Sequence, residues 1–276
     1  MKLTIGAAQM APNDEDIQVN LERIVRMMET AKDQGVQVVA FPELALTPFF
    51  PVIYLRQFRH YFMEDNCEEI TTIRNKAKEL KLTTIFGYAE VDKGHYYNTA
   101  MVVDSNGAIA GKYRKVHIPA PMINNAMGNY EKIYFEPGNL GYPVIPADHV
   151  KIGLQICYDR HFPEGFRELA LHDADIIFNL TATSSFASDW RSDTWKLMLR
   201  ARAFENNVFV VGVNKTGIEY GKEYYGHCMI VSPLGGEILG FADTSQDDVL
   251  LTHTIDLEDR WEAHLRLPFK RDMMLT

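Results

Sequence analysis

Cysteine is scarce in this sequence, with Cys67, Cys157 and Cys228 widely spaced among 276 residues and no CxxC pair. Such a set predicts neither a disulfide framework nor a zinc knuckle. Long apolar runs are missing too, since no stretch approaches the roughly 18 apolar residues of a membrane helix. The opening MKLTIGAAQMAPNDED turns acidic too early for a signal peptide. We therefore expect a cytoplasmic protein with no membrane partner.

An excess of positive charge is also absent, because 28 Lys and Arg face 37 Asp and Glu, for a net charge of -9. This balance argues against broad binding of nucleic acid or anionic membranes. No low-complexity segment and no linker rich in Pro, Gly and Ser interrupts the chain. The simplest interpretation is one continuous domain over residues 1–276, in which 257–276 form a C-terminal extension that packs on the domain.

Apolar, β-branched segments alternate with helical patterns, which predicts an α/β fold. Several strands, such as VQVVAF and ADIIFNL, are apolar on consecutive residues, so both of their faces should be covered. Asn13 or Asp14 is expected to cap the first helix, and Gly35 to follow its end. The predicted strands are 3–9, 36–41, 83–88, 99–104, 151–156, 175–180, 209–214, 228–232 and 249–255, and the predicted helices are 16–34, 68–80, 163–172 and 189–206.

Two segments have the same pattern of strand, glycine-containing turn and strand: TAMVVDSNGAIAGKY at 99–113 and HCMIVSPLGGEILGF at 227–241. Each follows an αβ stretch. The chain is therefore expected to contain an internal pseudo-repeat of two related halves.

Cys157 is the best candidate nucleophile. An apolar strand, IGLQI, runs into it, a short polar turn follows, and Pro163 suits the first turn of a helix. This layout lifts a side chain off a strand end beside free backbone N–H groups, as in a nucleophile elbow. The alternative is a buried structural cysteine, which is the interpretation we favour for Cys67 and Cys228.

Glu43 and Lys115 are the candidate partners of such a cysteine. Glu43 follows an apolar strand within VQVVAFPELALTPFF, and an apolar neighbourhood desolvates a carboxylate and strengthens it as a base. Lys115 lies in the basic segment GKYRKVHIP, where an ammonium could stabilise negative charge on a thiolate or oxyanion. The alternatives are an exposed glutamate that opens a loop and a solvated basic loop. No histidine stands out as a dedicated base, which disfavours a papain-like protease.

These segments, taken in order, resemble the nitrilase superfamily of carbon–nitrogen hydrolases. The matching pieces are AFPELALTPFF, GKYRKVHIP and ICYDRHFPEGFRELALHDADIIFNLTATSS, supported by IGAAQMAP, RARAFENNVFVVGVNKTG and SPLGGEIL. The resemblance implies a four-layer αββα sandwich with a pseudo-two-fold repeat, and pairing of two chains through helices into a homodimer or larger homo-oligomer. It implies a catalytic set of Glu43, Lys115 and Cys157 with Glu131 as fourth member, Glu136 being the nearby competitor. It implies no metal and no organic cofactor.

The mechanism that the resemblance implies is covalent. Glu43 takes the thiol proton, Cys157 attacks the carbonyl carbon, and Lys115 and the backbone N–H of Tyr158 hold the oxyanion. Ammonia or an amine leaves, and water then hydrolyses the thioester.

The stretch CYDRHFPEGFR resembles the N-carbamoyl amino acid amidohydrolases, including β-ureidopropionase. Arg160 matches an arginine that grips the substrate carboxylate, a task suited to a guanidinium. His117 matches a site histidine of that group. Asn179 and Thr181, at a strand end, could touch substrate or cap a turn. The expected substrate is an N-carbamoyl amino acid resembling N-carbamoyl-β-alanine, hydrolysed with release of ammonia and carbon dioxide.

Departures from the D-amino-acid carbamoylases leave alternatives open. Those enzymes carry a second arginine and a histidine where this chain has His161 and Asn129, so the Arg-His pair is closer to the β-ureidopropionase group. Arg160 could instead form an ion pair with Asp159 or Glu164. An aliphatic amidase or nitrilase acting on a small neutral substrate is the nearest rival function. A catalytically silent binding or scaffold protein is a rival of another class.

Overall fold

The computed structural model describes residues 1–120, 129–185 and 190–274. Within them, fourteen strands and seven helices alternate in the α/β manner that the sequence predicts. The strands, labelled β1 to β14 in chain order, are Lys2–Gln9, Val38–Ala40, Thr83–Asp92, His95–Val103, Ile109–Arg114, Ile145–Ala147, Val150–Ile156, Ile176–Leu180, Phe209–Val213, Thr216–Glu219, Lys222–Tyr225, Met229–Val231, Ile238–Phe241 and Val249–Asp256. The helices, labelled α1 to α7, are Ile17–Asp33, Glu68–Leu80, Glu131–Tyr134, Pro163–Leu171, Trp190–Asn206, Glu258–Arg266 and Phe269–Asp272.

Two six-stranded sheets repeat one pattern. The first has the order β14-β1-β2-β3-β4-β5 and the second β6-β7-β8-β9-β12-β13. In each, the second, third and fourth strands are parallel, while the strands at both ends of this trio are antiparallel to it. The hairpins β4-β5 and β12-β13 close the two sheets in the same way. The predicted pseudo-repeat is therefore confirmed.

The two sheets pack face to face and helices cover their outer faces. One apolar core joins side chains of both sheets: Ile5, Val38, Ile85, Ile152, Phe178 and Val211. A second core joins α1 and α2 to the first sheet, and a third joins α4 and α5 to the second sheet. Burial of both strand faces removes their apolar surface from water, which stabilises this arrangement. The predicted αββα sandwich is confirmed.

The cap of α1 differs from our prediction. Its N-cap residue is Asp16, whose carboxylate accepts from the backbone N–H of Gln18 at 2.9 Å. Asn13 and Asp14 precede the cap, so assigning either to it was wrong. The side chain of Asn13 instead donates to backbone oxygens of the loop that follows β2, including Ala45 at 3.0 Å. The side-chain amide of Asn13, which the local sequence pattern assigned to the cap of α1, thus binds residues that are distant in sequence.

Other boundaries shift by a few residues. The strand predicted at 36–41 is only Val38–Ala40, and the strand predicted at 83–88 continues to Asp92. Cys228, predicted inside a strand, immediately precedes β12. Gly35 does follow α1, with a positive φ of 72°. Asp189, the predicted start of α5, lies outside the described residues.

The C-terminal residues 257–274 form α6 and α7. Arg260 of α6 donates to Asp175 at 2.7 Å, and Phe269 of α7 packs edge-on against Phe204 of α5. In the part of the chain that the structure describes, no helix is long and apolar enough to span a bilayer.

Candidate active site

Glu43 lies in the loop after β2, at the carboxyl end of the parallel strands, where open α/β sheets place their ligands. Its side chain is fully buried. The loop approaches β3 so closely that a Cβ on Gly87 would lie 2.7 Å from the carbonyl oxygen of Pro42 and 2.8 Å from the Cα of Glu43. Only glycine permits this contact, so Gly87 helps to set the position of Glu43.

The carboxylate of Glu43 accepts three hydrogen bonds. Lys115 Nζ donates to it at 2.8 Å, Asn98 Nδ2 at 2.7 Å, and the backbone N–H of Ala182 at 2.9 Å. Asn98 was missed in the sequence, although it is a polar residue in the apolar strand β4. Both oxygens of Glu43 are thus held in one orientation by donors from both sheets.

Lys115 follows β5 and is 1% exposed. Its ammonium bridges Glu43 and Glu131, with Nζ 2.5 Å from Glu131 Oε2. Burial alone would lower the pKa of Lys115, but the negative charges of Glu131 and Glu43 outweigh that effect and raise it. Lys112 and Arg114, its basic neighbours in the sequence, instead pair with Glu90. Only one ammonium of the basic segment therefore points at the candidate site.

Glu131 opens the short helix α3 and is 1% exposed. Burial raises its pKa, the ammonium of Lys115 opposes this, and the charge of Glu43 adds to it. Glu136, the competing candidate, is half exposed and pairs with His95 at 3.0 Å. The structure therefore brings Glu131, and not Glu136, to Lys115.

Cys157 begins a tight turn directly after β7. Its φ is +46°, a left-handed conformation that is uncommon for a residue with a side chain and typical of strained functional turns. Pro163 then opens α4, as the sequence predicts. Burial raises the pKa of the Cys157 thiol to about 11, assisted by the negative charge of Glu43 and opposed by Lys115. The resting thiol is therefore protonated at neutral pH.

Asp159 ties this turn to the segment that carries Lys115. It is fully buried and accepts from Tyr113 Oη at 2.8 Å and from the backbone N–H of Ile156 at 3.0 Å. Its other oxygen accepts from the backbone N–H of His117 at 2.9 Å and contacts His117 Nδ1 at 2.8 Å. Asp159 was considered in the sequence only as a partner for Arg160.

Arg160 lies beside the thiol. Its Nη1 donates to the carbonyl oxygen of Cys157 at 2.8 Å and lies 3.6 Å from Sγ, while Nη2 donates to Thr183 Oγ1 at 3.2 Å. The guanidinium also packs on Trp195, 5.3 Å from the ring centroid. Its Nε has no hydrogen-bond partner among the described residues. These contacts, rather than the ion pair considered as the alternative, orient Arg160.

A cavity of about 380 Å³ opens beside Cys157, within the size range of small-molecule sites. Of the residues predicted from sequence, the described part of its wall includes Glu131, Cys157, Tyr158, Arg160 and His161. The five other predicted residues are absent from that wall. Glu43 and Lys115 are buried. The ring of His117 stacks on that of Phe162, with 3.7 Å between the ring centroids. Thr181 Oγ1 donates to Asn179 Oδ1 at 2.9 Å.

Several further polar residues of the cavity wall were missed in the sequence, among them Arg191, Lys222 and Tyr224. Arg191 lies at the start of α5, and the other two lie on β11. The sequence contains no local signal for them, because only tertiary packing brings β11 and α5 to the end of β7.

The β10-β11 hairpin is anchored by Glu219. This buried carboxylate accepts from the backbone N–H groups of Asn13 at 2.8 Å and Phe49 at 2.5 Å, and from Lys215 Nζ at 2.5 Å. Phe49 belongs to the loop that begins at Glu43. The hairpin that supplies Lys222 to the cavity is thus bound to the loop that positions Glu43.

The chain is similar to several known proteins. The chain is 30% identical over 261 residues to an N-carbamoylputrescine amidase of Solanum lycopersicum, which covers 90% of this chain and 85% of that protein. It is 29% identical over 259 residues to a citrullinase of Francisella tularensis subsp. tularensis (strain SCHU S4 / Schu 4), and this alignment covers 90% of this chain and 87% of that protein. The crystal structure of a carbon–nitrogen hydrolase from Helicobacter pylori G27 superposes with a TM-score of 0.89 at 27% identity, covering 99% of this chain and 96% of that one. The family model for carbon–nitrogen hydrolases matches residues 4–264, and the chain belongs to that family, as its motifs predict.

Proposed function

We propose that this protein hydrolyses an N-carbamoyl amino acid through a thioester on Cys157. One observation carries the proposal: the buried ammonium of Lys115 bridges the carboxylates of Glu43 and Glu131 beside the Cys157 thiol. A base, a fixed positive charge and a nucleophile held close together are the groups that acyl transfer from a C–N bond needs.

In the first half of the reaction, Glu43 accepts the thiol proton as Sγ attacks the carbamoyl carbon. Because the pKa of Cys157 is raised to about 11, proton transfer accompanies attack rather than preceding it. Lys115 and the backbone N–H of Tyr158 stabilise the negative charge that develops on the carbonyl oxygen. When the tetrahedral intermediate collapses, the C–N bond breaks and the nitrogen leaves with the proton that Glu43 held.

In the second half, water attacks the thioester carbon and gives its proton to Glu43. The intermediate collapses with cleavage of the C–S bond, and the thiolate recovers its proton from Glu43. The carbamate product decomposes into carbon dioxide and an amine or ammonia. Glu131 keeps Lys115 in place and charged throughout, since two carboxylates balance one buried ammonium.

The substrate class rests on Arg160. Its guanidinium lines the cavity beside the thiol, with Nη1 3.6 Å from Sγ. A carboxylate is the natural partner of such a group. The two curated relatives named above support the carbamoyl half of the proposal, because both are named for compounds with a carbamoylated nitrogen.

The test is ammonia release from N-carbamoyl-β-alanine, N-carbamoyl-D- and L-amino acids, an aliphatic amide and a nitrile, measured side by side. Arg160→Ala should lower kcat/KM for the carbamoyl acids by about 100-fold and for the neutral amide far less. Arg160→Lys keeps the positive charge and should restore part of the kcat/KM for the carbamoyl acids. Arg167→Ala, on α4, is the matched control. An equal loss on acid and amide would favour an aliphatic amidase or nitrilase. Full hydrolysis by Cys157→Ala would reject the thioester route.

A further inference from the structure

Tyr224, on β11, lines the cavity together with Cys157 and is only 1% exposed. Its hydroxyl oxygen, Oη, has no hydrogen-bond partner among the described residues. A buried hydroxyl that stays unpaired is costly, because it loses its hydrogen bonds to water and gains none in return. The cost is explained if a ligand in the cavity supplies the missing partner.

The ring of Tyr224 is held in place by its neighbours. It packs edge-on against Phe49, with 6.5 Å between the ring centroids. Its backbone forms a β-bridge with Ser184. That bridge lies shortly after Ala182, whose backbone N–H donates to Glu43 at 2.9 Å. The hydroxyl is therefore carried on a fixed ring, so a ligand contact there costs little ordering of the side chain.

The Tyr224 hydroxyl lies within electrostatic range of Glu43, Cys157 and Glu131. Burial raises the pKa of Tyr224 well above its usual value, and the negative charges of Glu219 and then of these three groups raise it further. The hydroxyl therefore keeps its proton throughout the physiological pH range. In that state it can accept a hydrogen bond as well as donate one.

The proposed reaction leaves one polar group of the substrate without a partner. In that reaction Arg160 binds the carboxylate, and Lys115 and the backbone N–H of Tyr158 hold the carbonyl oxygen. Glu43 gives its proton to the nitrogen that leaves as ammonia. The second ureido nitrogen, which bears the carboxylate chain, still has an N–H to donate, and burying that donor without an acceptor would weaken binding. A simple amide has a carbon atom at this position and needs no acceptor there.

We propose that Tyr224 is a specificity-determining residue whose Oη accepts a hydrogen bond from the ureido N–H of the substrate. The inference deepens the proposed function and rests on it for the reaction at Cys157. A hydroxyl in this position favours N-carbamoyl compounds over simple amides, because only the carbamoyl compounds supply the donor. The same hydroxyl is a cost to the empty enzyme, which separates its role from that of a residue that stabilises the fold.

The experiment compares N-carbamoyl-β-alanine with glutaramate, in which CH₂ replaces the ureido N–H while the terminal amide and the carboxylate are unchanged. Tyr224→Phe removes only the hydroxyl. We expect kcat/KM for N-carbamoyl-β-alanine to fall about tenfold, the effect of one hydrogen bond, and that for glutaramate to change less than about twofold. Tyr96→Phe, on β4 and outside the described part of the cavity wall, should leave both values unaltered. An equal loss on the two substrates would overturn the inference.

Stability provides an independent readout. Because the Tyr224 hydroxyl is unpaired among the described residues, Tyr224→Phe should unfold at the same Tm as the unaltered protein or at a higher one. A lower Tm would show that the hydroxyl stabilises the fold, and it would reject the role in substrate recognition.

Calorimetry in a Cys157→Ala background separates this inference from the reaction it assumes. Adding Tyr224→Phe should weaken the affinity for N-carbamoyl-β-alanine about tenfold and leave that for glutaramate unchanged. If the unaltered enzyme does not hydrolyse N-carbamoyl-β-alanine but this binding difference holds, the contact stands and the proposed function fails. If the compound is hydrolysed and Tyr224→Phe affects both compounds equally, the proposed function stands and the contact fails. Absence of N-carbamoyl-β-alanine binding would reject both.

Discussion

Asp159 and His117 meet through two contacts to one carboxylate oxygen, the backbone N–H of His117 at 2.9 Å and its Nδ1 at 2.8 Å. The pair joins the turn that begins at Cys157 to the segment that carries Lys115. The geometry between the thiol and the ammonium therefore depends on a residue that lines no part of the described cavity wall.

Asp159→Asn should weaken this connection. Asparagine accepts on one oxygen only, so its NH₂ group would face donors that the carboxylate now binds. We expect a loss of about 1–3 kcal/mol in the free energy of unfolding, measured by urea denaturation, together with a lower kcat. Tyr113→Phe, which removes one donor and keeps the carboxylate, should have a smaller effect on both. Wild-type stability and kcat in Asp159→Asn would contradict this role.

The rate at which Cys157 is alkylated should increase as the pH rises above neutrality. Since its pKa is raised to about 11, the reactive thiolate is rare at pH 7 and increases as pH rises towards 11. Glu43→Gln removes a negative charge that raises this pKa, so the inflection should move to lower pH. Lys115→Met removes the opposing positive charge and should move it higher.

The measurement is the iodoacetamide rate at the Cys157 peptide by mass spectrometry, which distinguishes it from Cys67 and Cys228. Cys157→Ser provides the background. An inflection near pH 7 in the unaltered enzyme would disprove the protonated resting thiol.

Lys115→Met should also destabilise the fold. Without the ammonium, Glu43 and Glu131 would face each other across a dry space, and two such carboxylates cannot both ionise there. Removing one partner of a buried ionic cluster costs about 3–5 kcal/mol, and hydrolysis should fall on the order of 10²–10³-fold. Lys132→Met, at the exposed neighbour of Glu131, is the matched control for thermal unfolding and kcat. Similar behaviour of the two variants would remove Lys115 from the proposed mechanism.

We expect two chains to pair through exposed apolar side chains on α5 and α6. Leu197 on α5 is 64% exposed, and Trp261 and Leu265 on α6 are 62% and 83% exposed, so apolar side chains are left uncovered on two helices. Light scattering coupled to size exclusion should detect a homodimer, and Leu197→Glu should shift it towards monomer. Val19→Glu, on the exposed face of α1, should leave the mass unchanged. A monomeric unaltered protein at micromolar concentration would argue against pairing.

Most of the fold and part of the candidate site could be predicted from local sequence patterns. The strands before Glu43 and Cys157 are largely apolar, so periodicity placed both residues directly after buried strands. The family resemblance, and not periodicity, singled them out as catalytic candidates. Long-range contacts were inaccessible to such reasoning. Asn13 was misassigned as a cap because its partners lie some thirty residues further along the chain, and Arg191 and Lys222 reach the cavity only through packing of separate elements.

The anchoring of Glu219 has a consequence for how this enzyme can diversify. Its carboxylate belongs to the hairpin that bears Lys222 and accepts from the backbone N–H of Phe49, in the loop that bears Glu43. A lineage that exchanged the hairpin would disturb the placement of Glu43, the proposed general base, in the same step. Changes in the hairpin and changes in the position of Glu43 should therefore be inherited together.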